Sequence, residues 1–227
     1  MYTVSTRQPL DRERVLAAAV AFADARGIEP LSMRALAGDL GVVPMALYKH
    51  VADKDDLLGG MIDAVVAGYA LPDPELAWRE RVRARVMTAR ASLAAHPWLP
   101  AAIAARATPT PAVLAHMDAI AGDFVSGGLS VDLTHHAMHA LGHRIWGYSP
   151  EAFPGGAAPS GGDEEQAAQA GVFAQHFPHV FAIAMDAAAR SGIGACDADA
   201  EFAFTLDLLL DAFERLHASG WESRPMQ

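Results

Sequence analysis

The chain has 227 residues, 52% of them hydrophobic, and a formal net charge of −10, a length that allows one large domain or a small domain joined to a larger one. The acidic balance excludes a protein coated in nucleic acid, and no uncharged apolar run approaches the roughly 18 residues a membrane span needs. The single Cys196 excludes an intramolecular disulfide, and the opening MYTVSTRQPLDRER has no apolar segment before a small-residue cleavage site, so a cytoplasmic location is expected.

From Asp11 onward, VLAAAVAFADARG spaces Val15, Ala19 and Phe22 by three and four residues. This predicts a helix from about Asp11 to Arg26, capped by a carboxylate and closed by Gly27. Ser32 stands where an N-cap belongs. Met33, Leu36, Ala37 and Leu40 form the next stripe, and Gly41 supplies the left-handed turn that stops it. Pro44 is pre-set for the first position of a third helix, so the segment reads helix, tight glycine turn, helix. Asp53, with Asp56 three residues on, caps a fourth helix that runs to the break LPDP at Leu71 to Pro74. A boundary is expected there, dividing the chain into residues 1–70 and 71–227.

Beyond the break, helical periodicity covers Trp78 to Ala95, Pro111 to Ser126, Val131 to Tyr148, about Phe173 to Arg190 and about Asp197 to Ala218. No alternating strand pattern stands out, so the expected class is all-α. The stretch PGGAAPSGGDEEQ, Pro154 to Gln166, has the composition of a surface loop.

The third helix carries the chemistry. A 100° step places Pro44, Met45 and Tyr48 on one side with Lys49 at its edge, while Leu47 and Val51 turn inward. Such a small, partly basic face suits the major groove, with apolar reach to thymine methyls and a phenol and ammonium for phosphates. Arg34 can meet a guanine edge bidentately, and Lys54 sits at the amino end of the fourth helix, where free amides also attract phosphate. Residues 1–70 carry seven Lys or Arg against nine Asp or Glu, and the remainder ten against eighteen, so any DNA contact rests on this local cluster of bases. By spacing alone the same helix also fits the rim of an α-helical domain.

The run LDRERVLAAAVAFADARGIEPLSMRALAGDLGVVPMALYKHVADKDDLLGGMIDAVV resembles the amino-terminal domain of the TetR family of bacterial transcriptional repressors. The remainder is similar to the tetracycline-repressor-type carboxy-terminal domain, in Trp78 followed by SLAAHPW, in LGHRIWGYSPE and in FAFTLDLLLDAFERL. The resemblance implies an N-terminal three-helix helix-turn-helix DNA-binding domain followed by a larger helical ligand-binding and dimerisation domain. It implies that Arg34, Pro44, Met45 and Tyr48 face bases or the adjoining backbone, and that Ser32, Lys49, His50 and Lys54 hold phosphates. Relatives commonly carry Ser or Thr where this chain has Val43, a side-chain cap worth about 1 kcal/mol.

In THHAMHALGHRIWGY, His135, His139 and His143 lie at i, i+4 and i+8 along one ridge. Packing in the bundle or a dimer interface, contact with an organic effector, and a metal site are the three readings. Packing leads, because one ridge cannot close a tetrahedral zinc site. No metal and no cofactor are expected. The effector of the family sits inside the carboxy-terminal bundle, and Trp98, Met117, Phe124, His139, His143, Trp146, Phe173 and Phe177 are the expected lining, each equally suited to filling a core. Tetracycline with magnesium is disfavoured, since Ala104 stands at the metal-binding His of the tetracycline sensors, although Glu151 matches a carboxylate near that metal. Cys196 reads as an inert thiol.

The last helix presents Phe202, Leu206, Leu209, Leu210, Phe213 and Leu216, more apolar width than one partner covers. With the family pairing of this helix and the histidine-bearing one, a homodimer is expected. The combined expectation is a repressor of a palindromic double-stranded DNA operator, released by an unknown small-molecule effector, with no membrane association. The alternative is a helical small-molecule or metal-binding protein without operator binding. An enzyme is not expected, since the sequence shows no nucleophile with a base and orienter, no phosphate-cradling glycine loop and no paired carboxylates.

Overall fold

The computed structural model describes residues 9–145, 174–191 and 198–223, and among these the chain is all-α, with no strand. It forms two compact units, residues 1–147 with 212–227, and residues 148–211.

In the first unit, α1 (Arg12–Arg26) begins where the Asp11 carboxylate accepts from the Arg14 N–H at 2.8 Å, and it buries Val15, Ala19, Phe22 and Ala23 on one stripe. α2 (Met33–Leu40) begins where Ser32 Oγ accepts from the Ala35 N–H at 3.1 Å. It ends at Gly41, whose φ of 64° and ψ of 37° lie in the left-handed region that favours glycine. α3 (Pro44–Leu47) is a single turn. Leu47 and Val51 are buried beneath it, as the helical phase requires. Asp53 caps α4 (Lys54–Val66) through the Asp56 N–H at 2.8 Å. α4 packs on α1 closely enough that a Cβ on Gly60 would come 2.6 Å from Leu16 Cδ2, so a larger residue there would have to displace the Leu16 side chain.

The same unit continues through α5 (Trp78–Ala95), α6 (Leu99–Ala104), α7 (Pro111–Ser126) and α8 (Val131–Ile145). α7 packs on α4, α5 and α8. Phe124 of α7 is fully buried, with ring centroids 5.6 Å from Trp78 and 5.9 Å from Phe213. The second unit holds α9 (Pro178–Ser191) and the first part of α10 (Ala198–Ala218).

Three boundaries differ from those read in the sequence. α4 ends at Val66, before the glycine of AGYA, and the six-residue α6 was not foreseen, being too short to display a period. The helix expected from about Phe173 is interrupted: residues 174–176 are helical, Phe177 is not, and α9 begins at Pro178 because proline fixes its own φ for the first helical turn and disfavours helix at the preceding Phe177. The stretch Pro154 to Gln166, Glu151 and Cys196 lie outside the described residues. No helix among the described residues is long and apolar enough to cross a membrane.

Candidate nucleic-acid interface

α3 starts without a side-chain cap: Val43 has extended backbone, φ −79° and ψ 146°, and offers no acceptor. Pro44 at the first position compensates in part, because it has no N–H to leave unpaired. On the outer side of the turn Val43, Met45 and Tyr48 are 68%, 70% and 45% exposed, while Leu47 beneath them is 0% exposed. Three large apolar side chains are thus held in water around one helical turn, an arrangement that gains free energy when a partner covers it.

The segment is locked from behind. Arg12 Nη1 donates to the carbonyl of His50 at 2.7 Å and to Asp56 Oδ2 at 3.0 Å, and Nη2 donates to Asp56 Oδ1 at 2.6 Å. Asp56 Oδ2 also accepts from the Ala52 N–H at 2.8 Å. One carboxylate therefore ties α1, the chain leaving α3 and the first turn of α4 together. The Arg12 hydrogen bond, followed by that of Ala52, lowers the Asp56 carboxyl from 3.8 to about 2, and the same hydrogen bond raises Arg12. The capping box expected at Asp56 is realised one residue upstream, on Ala52 rather than Asp53.

The cations divide into two groups. Arg12 pairs with Asp56, Arg26 pairs with Asp39 at 3.0 Å, and Arg14 donates to the carbonyl of Pro9 at 2.6 Å. Arg34, Lys49 and Lys54 are exposed and have neither an ion pair nor a hydrogen bond with any described residue. These three flank α3: one in the first turn of α2, one just past α3, one opening α4. Ser32 is exposed with its oxygen engaged as the α2 cap, which leaves its hydroxyl proton able to donate. Pro44 is exposed, and His50 is half-buried with its carbonyl held by Arg12.

Of the residues expected around an effector, Trp98 is buried and its indole N–H donates to Asp24 Oδ1 at 2.7 Å, an oxygen it shares with His96 Nδ1 at 2.7 Å. Phe124 sits in the aromatic core described above. Met117 and His139 are exposed, with the His139 ring 4.6 Å from that of His135, and Phe177 is exposed ahead of α9. The His143 side chain, Trp146 and Phe173 lie outside the described residues. Among the described residues no group of three or more His, Cys, Asp or Glu is arranged to hold a metal ion.

Two features escaped the sequence reading. Arg106, after α6, forks onto Asp55 of α4, Nη1 to Oδ1 at 2.8 Å and Nη2 to Oδ2 at 3.2 Å, one residue from Lys54. Inside the larger bundle, His116 and Asp123 lie on the buried stripe of α7 together with Val113, Ile120 and Phe124. Two polar residues phased with an apolar stripe were the available signal. Burial, and then the charge of Arg85, lower His116 from 6.5 to about 4, and the Tyr69 ring meets it edge-on at 5.1 Å. Burial also raises the Tyr69 phenol, with Ser92 opposing the shift.

Residues 71–216 match the family described as tetracyclin repressor-like, C-terminal domain, and residues 15–61 match the bacterial regulatory proteins of the tetR family. An HTH-type transcriptional regulator of Saccharopolyspora erythraea is 33% identical over 124 residues, 54% of this chain and 52% of that protein. An HTH-type transcriptional repressor of Streptomyces coeruleorubidus is 40% identical over 92 residues, 40% of this chain and 34% of that protein. These matches span about half or less of the relatives' own length. Among solved structures, the Streptomyces coelicolor TetR family protein ActR in complex with actinorhodin superposes with a TM-score of 0.66 at 25% identity, over 92% of this chain and 97% of that one.

Proposed function

Because the chain belongs to the TetR family of bacterial transcriptional regulators, we propose that it represses transcription by binding a palindromic DNA operator as a homodimer and leaves the operator when a small-molecule effector binds. Residues 1–70 form the reading head and residues 71–227 the effector-binding and dimerising part. The observation that carries this reading is the division of cations: Arg34, Lys49 and Lys54, in the first turn of α2, just past α3 and at the start of α4, are left without a partner among the described residues, while Met45 and Tyr48 of the segment between are exposed. Arg34, Pro44, Met45 and Tyr48 meet base edges or the adjoining backbone, and Ser32, Lys49, His50 and Lys54 hold phosphates.

Dimerisation pairs α8 and α10 with their copies. Phe204 and Leu208, 62% and 50% exposed at i and i+4 on α10, provide an apolar ridge for it. A twofold axis then presents two copies of α3 to half-sites about one duplex turn apart. The effector acts by favouring a dimer with wrongly spaced heads, a coupling of about 1–3 kcal/mol. The Arg106 fork onto Asp55 and the bond from the Ala112 N–H to Asp63 Oδ1 at 3.0 Å are the ties by which a shift of α6 or α7 moves α4.

Selection of genomic DNA fragments by the purified protein, repeated with the Tyr48→Ala, Lys54→Ala double variant, tests this. A palindrome enriched by the wild type and lost by the variant is expected. A folded dimer that enriches nothing overturns the operator reading.

A further inference from the structure

α5 and α7 meet across a charge imbalance. The Asp123 carboxylate, with its side chain 10% exposed, accepts from Arg81 Nε through Oδ1 and from Arg85 Nε through Oδ2, both at 2.7 Å. Arg81 commits its remaining nitrogens to the carbonyl of Leu76 at 2.6 Å and the hydroxyl of Ser126 at 2.7 Å. Arg85 does not: it uses Nε alone, and its two terminal nitrogens have no hydrogen-bond partner among the described residues, although the side chain is only 17% exposed. His116, the titratable neighbour from α7 that feels the charge of Arg85, is held neutral by burial and so brings no compensating charge. Two guanidiniums, each with its side chain 17% exposed, thus share one carboxylate, leaving one positive charge and four Arg85 N–H donors without an acceptor among the described residues.

A mostly buried cation that must share its counter-ion with a second cation is costly, and proteins seldom keep one unless something supplies further opposite charge. The unused end of a guanidinium is a planar fork that matches the two oxygens of a carboxylate or sulfonate. The buried faces of the two helices favour an apolar body on that anion: Val82 and Val86 on α5 and Ile120 on α7 are buried, and the Tyr69 ring meets His116 edge-on. Water alone could solvate the fork. It would not explain why the second arginine is placed on an aspartate that Arg81 already neutralises.

We propose that Arg85 anchors the anionic group of the effector and that the effector is therefore an organic acid with a carboxylate or sulfonate on an apolar, ring-bearing body. This rests on the reading that the carboxy-terminal part binds a small molecule, and it adds the chemical class. Asp123 and Arg81 are the positioning pair that holds the Arg85 fork.

The test compares two probes that share one aromatic skeleton, 8-anilinonaphthalene-1-sulfonate and the neutral N-phenyl-1-naphthylamine, titrated by fluorescence into the full-length protein. The wild type is expected to take the sulfonate at one saturable site per chain, with an affinity about 10- to 100-fold above that of the neutral probe, the usual value of a charge-assisted hydrogen-bonded pair. Arg85→Met should erase that difference while leaving the neutral probe unchanged, and Arg85→Lys, which keeps the charge but not the fork, should retain part of it. Arg85→Met leaves Arg81 paired with Asp123, so its melting temperature should hold or rise. Equal affinity for both probes, or sulfonate binding untouched by Arg85→Met, overturns the anion anchor while the small-molecule reading stands. Saturable binding of neither probe by the folded protein overturns both. A variant that cannot fold without Arg85 marks the guanidinium as structural and also overturns the anchor.

Discussion

Replacing Arg12 with Met should loosen the reading head without emptying its core. The substitution keeps the aliphatic stem and removes three hydrogen bonds, two to Asp56 and one to the carbonyl of His50. The Arg12 and Asp56 side chains are 46% and 34% exposed, so solvent screens the ion pair and it contributes about 0.5–1 kcal/mol. The bond to the His50 carbonyl adds about 1 kcal/mol. The loss of roughly 1–2 kcal/mol lowers the melting temperature by about 2–8 °C for a chain of this size. Operator affinity should fall further than stability implies, by about tenfold, because the chain from α3 to α4 must then be ordered at the moment of binding. The pH dependence gives a sharper signature. Asp56 titrates near 2 in the folded protein against 3.8 when unpaired, so on acidification the unfolded chain binds the proton first. Its contribution is fully present above about pH 4 and is lost as the pH falls through 2. Urea denaturation at pH 6, 4 and 3 should show that slope in the wild type and a weaker one in Arg12→Met. Arg26→Met, which breaks the exposed pair with Asp39, serves as the control. If both variants lose the same operator affinity, or if Arg12→Met keeps the full acid slope, the lock assigned to Arg12 is wrong.

Three further outcomes are expected. His116 binds its proton near pH 4 when folded and near 6.5 when unfolded, so stability should decline as the pH drops from 6.5 towards 4, by up to about 3 kcal/mol. A His116→Leu variant followed by chemical denaturation across that range should lose the decline. Val43→Thr places a hydroxyl where the backbone is already extended and nothing caps α3, and it should add about 0.5–1 kcal/mol by thermal melting and tighten the operator complex; an unchanged melt would mean that Pro44 leaves no donor in need of a cap. Lys49→Ala and Lys54→Ala should each reduce the slope of log affinity against log salt by about 1 in fluorescence anisotropy, whereas a slope that stays the same removes that lysine from the phosphate contacts.

The legible parts of this protein were those decided over three or four residues. Asp11, Ser32 and Asp53 cap their helices from within one turn, Gly41 adopts the left-handed turn, and Pro44 opens α3, each through a backbone bond or a fixed φ that neighbouring residues cannot override. The outward phase of Met45 and Tyr48 against the buried Leu47 follows from the same local geometry. Trp98 and Phe124 show the limit of that reasoning. A large aromatic at helical spacing is announced by the sequence, but whether it lines a cavity or closes a core depends on the helix opposite, and here Trp98 reaches Asp24 while Phe124 stacks near Trp78 and Phe213.

Composition and periodicity by themselves determined an all-helical chain and a helix, turn, helix segment with an exposed apolar and basic face. Tertiary structure alone decided which charges that face keeps. Arg12 finds Asp56 44 residues away, Arg106 finds Asp55 51 residues away, and Arg85 shares Asp123 across 38 residues, so none of these pairings has a period to read. They exist because packing α1 and α6 on α4 and α5 on α7 brings particular helical faces within hydrogen-bond reach. The side chains left over, Arg34, Lys49 and Lys54 outside and the free end of Arg85 within, are defined only by that subtraction.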